Sequence, residues 1–150
     1  MQPSGKEGHR GYVLIVGCGR LGANLANSLY DGGGSVVVID KNPDAFRKLS
    51  PSFGGISVIG DATDMNALRE AEIERAQTVI AVTNRDNTNV MVAQLAKEMF
   101  HTRQVIARLY DPECEDAYRE FGIETICPAV LSATEIDGIL GARGTGERSE

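Results

Sequence analysis

The apolar run Tyr12-Val13-Leu14-Ile15-Val16 breaks off into Gly17-Cys18-Gly19-Arg20-Leu21-Gly22, and this junction constrains the fold more than any other feature of the chain. A run with no polar face suits a strand covered on both sides, as in a parallel sheet. The glycines have separable duties. Gly17 permits the tight turn out of the strand, Gly19 lets the backbone approach a pyrophosphate, and Gly22 lets the next helix pack closely on the strand. Beyond the loop, Leu21, Leu25, Ala26 and Leu29 recur at helical spacing over 21–30 until Asp31-Gly32-Gly33-Gly34 stops them. A second β-branched run covers 35–39 and ends at Asp40, and Asn42-Pro43-Asp44 supplies the cap and first turn of a short helix towards Leu49. A βαβ unit is complete within roughly thirty residues.

The same rhythm continues. Strands are expected over 56–59, 78–82, 104–109 and 123–126, and helices over 64–71, 87–100, 112–121 and 129–140. Strands alternating with helices at this spacing require right-handed crossovers, hence a parallel sheet with helices on both faces. The expected fold is a doubly wound α/β domain of the Rossmann type, with six parallel strands in the order 3-2-1-4-5-6. Residues 1–11 are polar and aperiodic and read as a disordered leader or, in part, an appended remnant. Residues 12–140 form the nucleotide-binding domain, and 141–150 read as a polar, mobile tail.

At 150 residues the chain is one domain, able to bury roughly 70% of its unfolded surface, with no room for a second catalytic domain. Its net charge of −6 disfavours a nucleic-acid partner, because phosphate-backbone binders carry a basic stripe. No apolar run approaches the roughly 20 residues needed to span a bilayer, and the first ten residues lack a secretory core, so the expected location is cytoplasmic. Three cysteines, Cys18, Cys114 and Cys127, show neither metal-type spacing nor an even count for a disulfide framework.

The glycine loop opens a helix whose exposed N–H groups and dipole favour phosphate charge. Arg20, inside the loop, adds a fixed positive charge. Asp40 lies 18 residues past Gly22, where an acid accepts hydrogen bonds from both ribose hydroxyls. That favours NAD or ATP over NADP, whose 2′-phosphate would meet the carboxylate, although Lys41 beside it tempers the preference. The plainer reading of Asp40 is a strand-end acid capping a turn. Asp61 and Ala62 follow the third strand where an adenine ring would rest, the acid accepting from the exocyclic amine and the alanine packing on the base. Residues of 61–64 are equally suited to capping the next helix. Thr83 and Asn84 end the fourth strand across the topological switch point, so their backbone should line the pocket. Asn87, Thr88 and Asn89 are either helix-capping groups or ligand contacts. Arg108, ending the fifth strand, either reaches the phosphates or pairs with an acid of a neighbouring subunit.

Cys18 stands near a helix N-terminus, which lowers a thiol pKa, but a small residue between two glycines needs no chemical role. His9 and His101 have no triad-like neighbours and read as surface residues. The helix over 90–100 is apolar around much of its circumference, which implies either an oligomer contact or cover from the final helix.

Together the segments Val16-Gly17-Cys18-Gly19-Arg20-Leu21-Gly22, Val38-Ile39-Asp40, Gly60-Asp61-Ala62-Thr63, 81–89 and Ile106-Ala107-Arg108 resemble the N-terminal lobe of the regulator-of-potassium-conductance family, as found in Trk and Ktr potassium uptake regulators. The likeness covers residues 12 to about 140. It implies a non-enzymatic sensor that binds NAD(H) or ATP/ADP at Gly17 to Leu21, Asp40, Asp61, Ala62, Thr83, Asn84 and Arg108. It further implies a homo-oligomer, dimer or larger ring, that gates a membrane potassium transporter subunit from the cytoplasmic side. Nothing beyond Leu140 could build the family's C-terminal lobe, so the chain reads as a truncated piece or a short natural subunit. Arg85 stands where an acid or small residue is common. Two other functions share the fold: the cofactor domain of an NAD-dependent oxidoreductase, and the regulatory domain of a cation/proton exchanger. Against the first stand the missing substrate domain, the lack of a Tyr-x-x-x-Lys pattern and the lack of a poised histidine.

Overall fold

A computed structural model describes the backbone of residues 11–149 and the side chains of residues 11–142. Residues 1–10, most of the expected leader, lie outside the described residues. The strands β1 (Tyr12–Val16), β2 (Ser35–Asp40), β3 (Ile56–Ile59), β4 (Thr78–Ala81), β5 (Gln104–Arg108) and β6 (Glu124–Ile126) form one sheet in the order β3-β2-β1-β4-β5-β6, every pair parallel. That is the expected doubly wound order. The register aligns the strand ends: Val16 sits beside Ile39 on one side and Ala81 on the other.

Alternation along each strand builds two cores. Leu14, Val16, Val37, Ile39, Val79 and Ala107 face one layer, where helices α2 (Met65–Glu70) and α3 (Asp86–Gln94) deliver Leu68, Val92 and Ala93. Val13, Ile15, Val36, Val38 and Ile80 face the other, packed by Ala23 and Ala26 of helix α1 (Arg20–Asp31) and by the 3₁₀ turn Pro43–Lys48. β1 is buried on both faces, which is why its sequence has no polar alternation.

Local chemistry sets the element ends. Asn42 accepts from the Asp44 N–H at 3.0 Å and Asp64 accepts from the Asn66 N–H at 2.9 Å, each capping the turn that follows. Three expectations needed adjustment. The helix expected over 87–100 starts at Asp86 and ends as a π-helical turn, Leu95–Met99, in which the Phe100 N–H reaches back five residues to the Leu95 carbonyl. The helix expected over 112–121 is divided into a 3₁₀ turn, Pro112–Cys114, and α4 (Glu115–Glu120). The final helix, α5 (Pro128–Ser149), does not stop at Leu140: no proline interrupts it, Gly141 keeps a negative φ, and the segment read as a tail is helical to Ser149.

α5 covers nothing. Every described residue of it from Ala129 to Ala142 is exposed, including Val130, Leu131, Ile136, Ile139 and Leu140. The reading in which it shields the outer face of α3 and the π turn that follows is therefore incorrect: Met91 of α3 and Met99 of that turn stay open.

Candidate functional site

At the carboxyl edge of the sheet, β1 hands the chain to α1 on one face while its neighbour β4 hands it to α3 on the other. The divergence leaves a crevice of about 580 Å³, within the range of small-molecule sites.

The glycine loop forms its floor. Gly17 has φ +104°, and a Cβ there would lie 2.9 Å from the Thr83 nitrogen, so both conformation and space demand glycine. Its N–H donates to the Ile39 carbonyl at 2.8 Å. A Cβ on Gly22 would collide with the Gly17 carbonyl oxygen; this glycine fits α1 against the loop and does not itself line the crevice. Gly19 has open space where a Cβ would be. α1 starts at Arg20 with no side-chain cap and no acid in its first turn, leaving its leading amides for an anion. Arg20 and Leu21 complete this wall.

Asp40 ties the loop to β2: its Oδ2 accepts from the Cys18 N–H at 2.8 Å and its Oδ1 from the Asn42 N–H at 2.9 Å. The turn-capping role foreseen for it is real, and each carboxylate oxygen keeps acceptor capacity towards the crevice. Cys18 presents its backbone. Its side chain is fully buried, and burial, then the Asp40 charge, push the thiol pKa up against the opposing pull of Lys48. A reactive thiolate at this position is thus disfavoured. Lys41 and Lys48 flank Asp40 at the rim.

After β3, Asp61 and Ala62 face the crevice while the capping of α2 falls to Asp64. Asp61 Oδ1 accepts from the Thr63 hydroxyl at 2.7 Å and the Thr63 N–H at 2.9 Å, and these bonds, with a smaller pull from Lys41, hold its carboxyl below the usual value. Ala62 is buried between the crevice and the core.

Across the switch point lie Thr83, Asn84 and Arg108. The Arg108 Nη2 donates to the Val82 carbonyl at 3.1 Å and the Thr83 carbonyl at 2.9 Å, and its guanidinium lies 5.3 Å from the Tyr110 ring. Two carbonyls just past β4 thus hold it at the crevice.

Several residues escaped the sequence reading. Asn89 is neither cap nor ligand contact: it is fully buried and bonds Thr83 and the Arg108 carbonyl. Its position was legible, because Asn89, Val92, Ala93 and Ala96 stand at i, i+3, i+4 and i+7 and share the buried face. Asp86 accepts from the Tyr110 N–H at 2.9 Å and the Asp111 N–H at 3.2 Å, fastening the loop after β5 to the start of α3. Lys48 and Tyr110 reach the crevice from distant parts of the sequence, and no local pattern marks them, whereas Arg85, singled out in the sequence as a departure from the resemblance, does line the crevice.

Residues 13–128 match the TrkA-N domain. The chain belongs to the TrkA-N domain family. This TrkA-N domain is 42% identical over 125 residues to the Trk system potassium uptake protein TrkA of Streptomyces coelicolor, an alignment covering 83% of this chain and 56% of that protein. The chain thus spans just over half the length of this curated relative. Among solved structures it is similar to the GsuK RCK domain, with TM-score 0.75 and 26% identity over 94% of this chain and 30% of that one. The crystal structure of GsuK bound to ADP matches at TM-score 0.74 and 26% identity, covering 89% of this chain and 35% of that one. Among the described residues of the TrkA-N domain no helix is long and apolar enough to cross a membrane.

Proposed function

We propose that this TrkA-N domain is the nucleotide-sensing part of a potassium uptake regulator, and that it works by binding, without turning over, an adenine nucleotide. The carrying observation is the crevice itself: uncapped α1 amides, two carboxylates at the ends of β2 and β3, and Arg108 at the end of β5 converge on one cavity. NAD(H) and ATP/ADP both fit that donor set. The amides of Gly19, Arg20 and Leu21 would take the phosphates, with Gly17, Cys18 and Gly22 shaping the loop. Asp40, beside Lys41, would take the ribose, and Asp61 and Ala62 the adenine. Thr83, Asn84 and Arg108 would meet whatever extends past the phosphates. The similar GsuK structure bound to ADP supports an adenine nucleotide as the ligand.

A bound nucleotide supplies phosphate charge at the junction of two helices; the chain's own residues do the rest. Thr83 and Arg108 are keyed through Asn89 to α3, so a ligand that favours one placement of the β4 and β5 ends favours one placement of that helix. The outer face of α3 and the exposed apolar side chains of α5 are the surfaces through which this chain would form a homo-oligomer. Ile136, Ile139 and Leu140 stand at i, i+3 and i+4 and share one side of α5. Through such an assembly the domain would act on a membrane potassium transporter subunit from the cytoplasmic side.

Calorimetric titration of the chain with ATP, ADP, NADH and NAD tests the reading. At least one nucleotide should bind, and Asp40→Ala should weaken it by roughly tenfold or more, the value of hydrogen bonds to a charged group. No binding of any nucleotide by the native chain would remove the proposal.

A further inference from the structure

The charges of this chain are unevenly satisfied. Arg47, Arg69, Arg75 and Arg119 each pair with a carboxylate, and all four lie away from the crevice. Arg20, Lys41, Lys48, Arg85 and Arg108 line the crevice, and none has a carboxylate partner among the described residues. A chain of net charge −6 therefore concentrates unpaired positive charge in one concavity, five cations against the two carboxylates of Asp40 and Asp61.

The sheet order arranges these groups in a line. Asp61 follows β3 and Asp40 ends β2; the glycine loop follows β1; Arg85 follows β4 and Arg108 ends β5. Both acids lie on one side of the glycine loop, and the other side is lined only by neutral and cationic residues. The nearest acid to Arg85 in sequence, Asp86, is engaged by the Tyr110 and Asp111 N–H groups. The Arg85 N–H donates to the Thr83 hydroxyl oxygen at 3.2 Å, while the Arg85 side chain is exposed and has no hydrogen-bond partner among the described residues.

We propose that Arg85 is a specificity-determining residue by which the crevice selects a nucleotide with a free terminal phosphate, ADP or ATP, over a dinucleotide. The inference rests on the nucleotide-sensing reading above and names the ligand class within it. β4 is one strand spacing, about 4.8 Å, from β1. A phosphate extending past the glycine loop in that direction enters a wall whose charged residues are Arg85 and Arg108. A terminal phosphate is nearly dianionic at neutral pH and matches the guanidinium fork, whereas each phosphate of a dinucleotide is a singly charged diester. In NAD the same arm would have to take a nicotinamide, which in the oxidised cofactor is itself a cation facing Arg85 and Arg108. The order of affinity follows: ATP and ADP, then NADH, then NAD.

Calorimetry at one fixed ionic strength, on the complete chain, with AMP, ADP, ATP, NADH and NAD as probes decides this. The native chain should bind ATP about tenfold more tightly than NADH. Arg85→Ala should weaken ATP by about tenfold and change AMP, which has no phosphate beyond the first, by less than about threefold; Arg85→Lys should recover part of the loss. Arg103→Ala, an exposed cation outside the crevice, controls for net charge and should shift no affinity. NADH binding as tightly as ATP, or Arg85→Ala weakening AMP and ATP equally, would overturn the proposal while leaving the nucleotide reading standing. Failure of all five probes, AMP included, would overturn both.

Discussion

Asn89 holds the peptide of Thr83 from both sides. Its Oδ1 accepts from the Thr83 N–H at 2.8 Å and the Thr83 hydroxyl at 2.7 Å, while its Nδ2 donates to the Thr83 carbonyl at 3.0 Å and the Arg108 carbonyl at 2.9 Å. One buried carboxamide thus fastens the ends of β4 and β5 to the first turn of α3, and Arg108 reinforces it by donating to the same Thr83 carbonyl. A buried polar network of this kind resists partial disassembly, because every group released inside the protein loses its partner without gaining water.

Asn89→Ala should therefore destabilise the domain by about 2–4 kcal/mol, through the backbone groups it leaves unpaired and the space it vacates. Asn89→Asp retains the acceptors and removes both donors, so its cost should be comparable despite near-identical size. Urea unfolding monitored by circular dichroism measures both; a loss under about 0.5 kcal/mol in either variant would contradict the role assigned to Asn89.

Two glycines of the same loop should behave oppositely. A methyl group at Gly22 meets the Gly17 carbonyl oxygen, which β1 and β2 hold in place, so Gly22→Ala should cost about 2 kcal/mol or more. Gly19 has open space at the corresponding point and φ −79°, so Gly19→Ala should change stability by less than about 1 kcal/mol while crowding the surface offered to phosphate. Paired thermal melts and nucleotide titrations separate the two; equal melting shifts would show that the packing argument fails.

Asp61 supplies a pH signature. The Thr63 hydroxyl, then the Thr63 N–H, hold its carboxyl below its ordinary value of 3.8. The folded carboxyl ionises more readily than the unfolded one. Its contribution to stability is thus fully present above about pH 4 and fades as pH falls through the lower folded value. Thr63→Val removes the hydroxyl and should move the Asp61 midpoint upward, towards 3.8, in a carboxyl-carbon NMR titration. An unchanged midpoint would assign the effect to some other group.

The proposed self-association makes a hydrodynamic prediction. Ile136→Glu or Ile139→Glu places a charge on the exposed apolar side of α5, where it disturbs no contact within the domain. The native chain should sediment as a dimer or larger species and either variant at a smaller mass, with circular dichroism unchanged. A native chain that sediments as a monomer at every concentration would exclude association through this helix.

How much of this was readable in advance follows from the range of the interactions concerned. Strand order, the glycine loop, Asp40, Asp61 and Arg108 were accessible because each depends on a short pattern: a run apolar on two faces, glycines at fixed spacing, a polar residue at a strand end. Alternation of strand and helix left one handedness of crossover, and the glycine fingerprint pointed to the Rossmann order among the sheets that handedness allows. The helix ends were less accessible. The π turn at Leu95–Met99 and the continuation of α5 past Gly141 depend on where each backbone carbonyl finds a donor, which periodicity does not encode.

What the sequence by itself determined is the class of fold and the edge of the sheet at which a ligand belongs, since both rest on patterns a few residues long. Only the tertiary structure decided that Asn89 is an internal brace and that Cys18 faces the core. It also brought Lys48 and Tyr110 to the crevice that Arg20, Lys41, Arg85 and Arg108 line. The reason is physical. Burial, charge pairing and hydrogen-bond satisfaction are properties of groups brought together from strands far apart in the chain, and their energies do not exist until the sheet has formed.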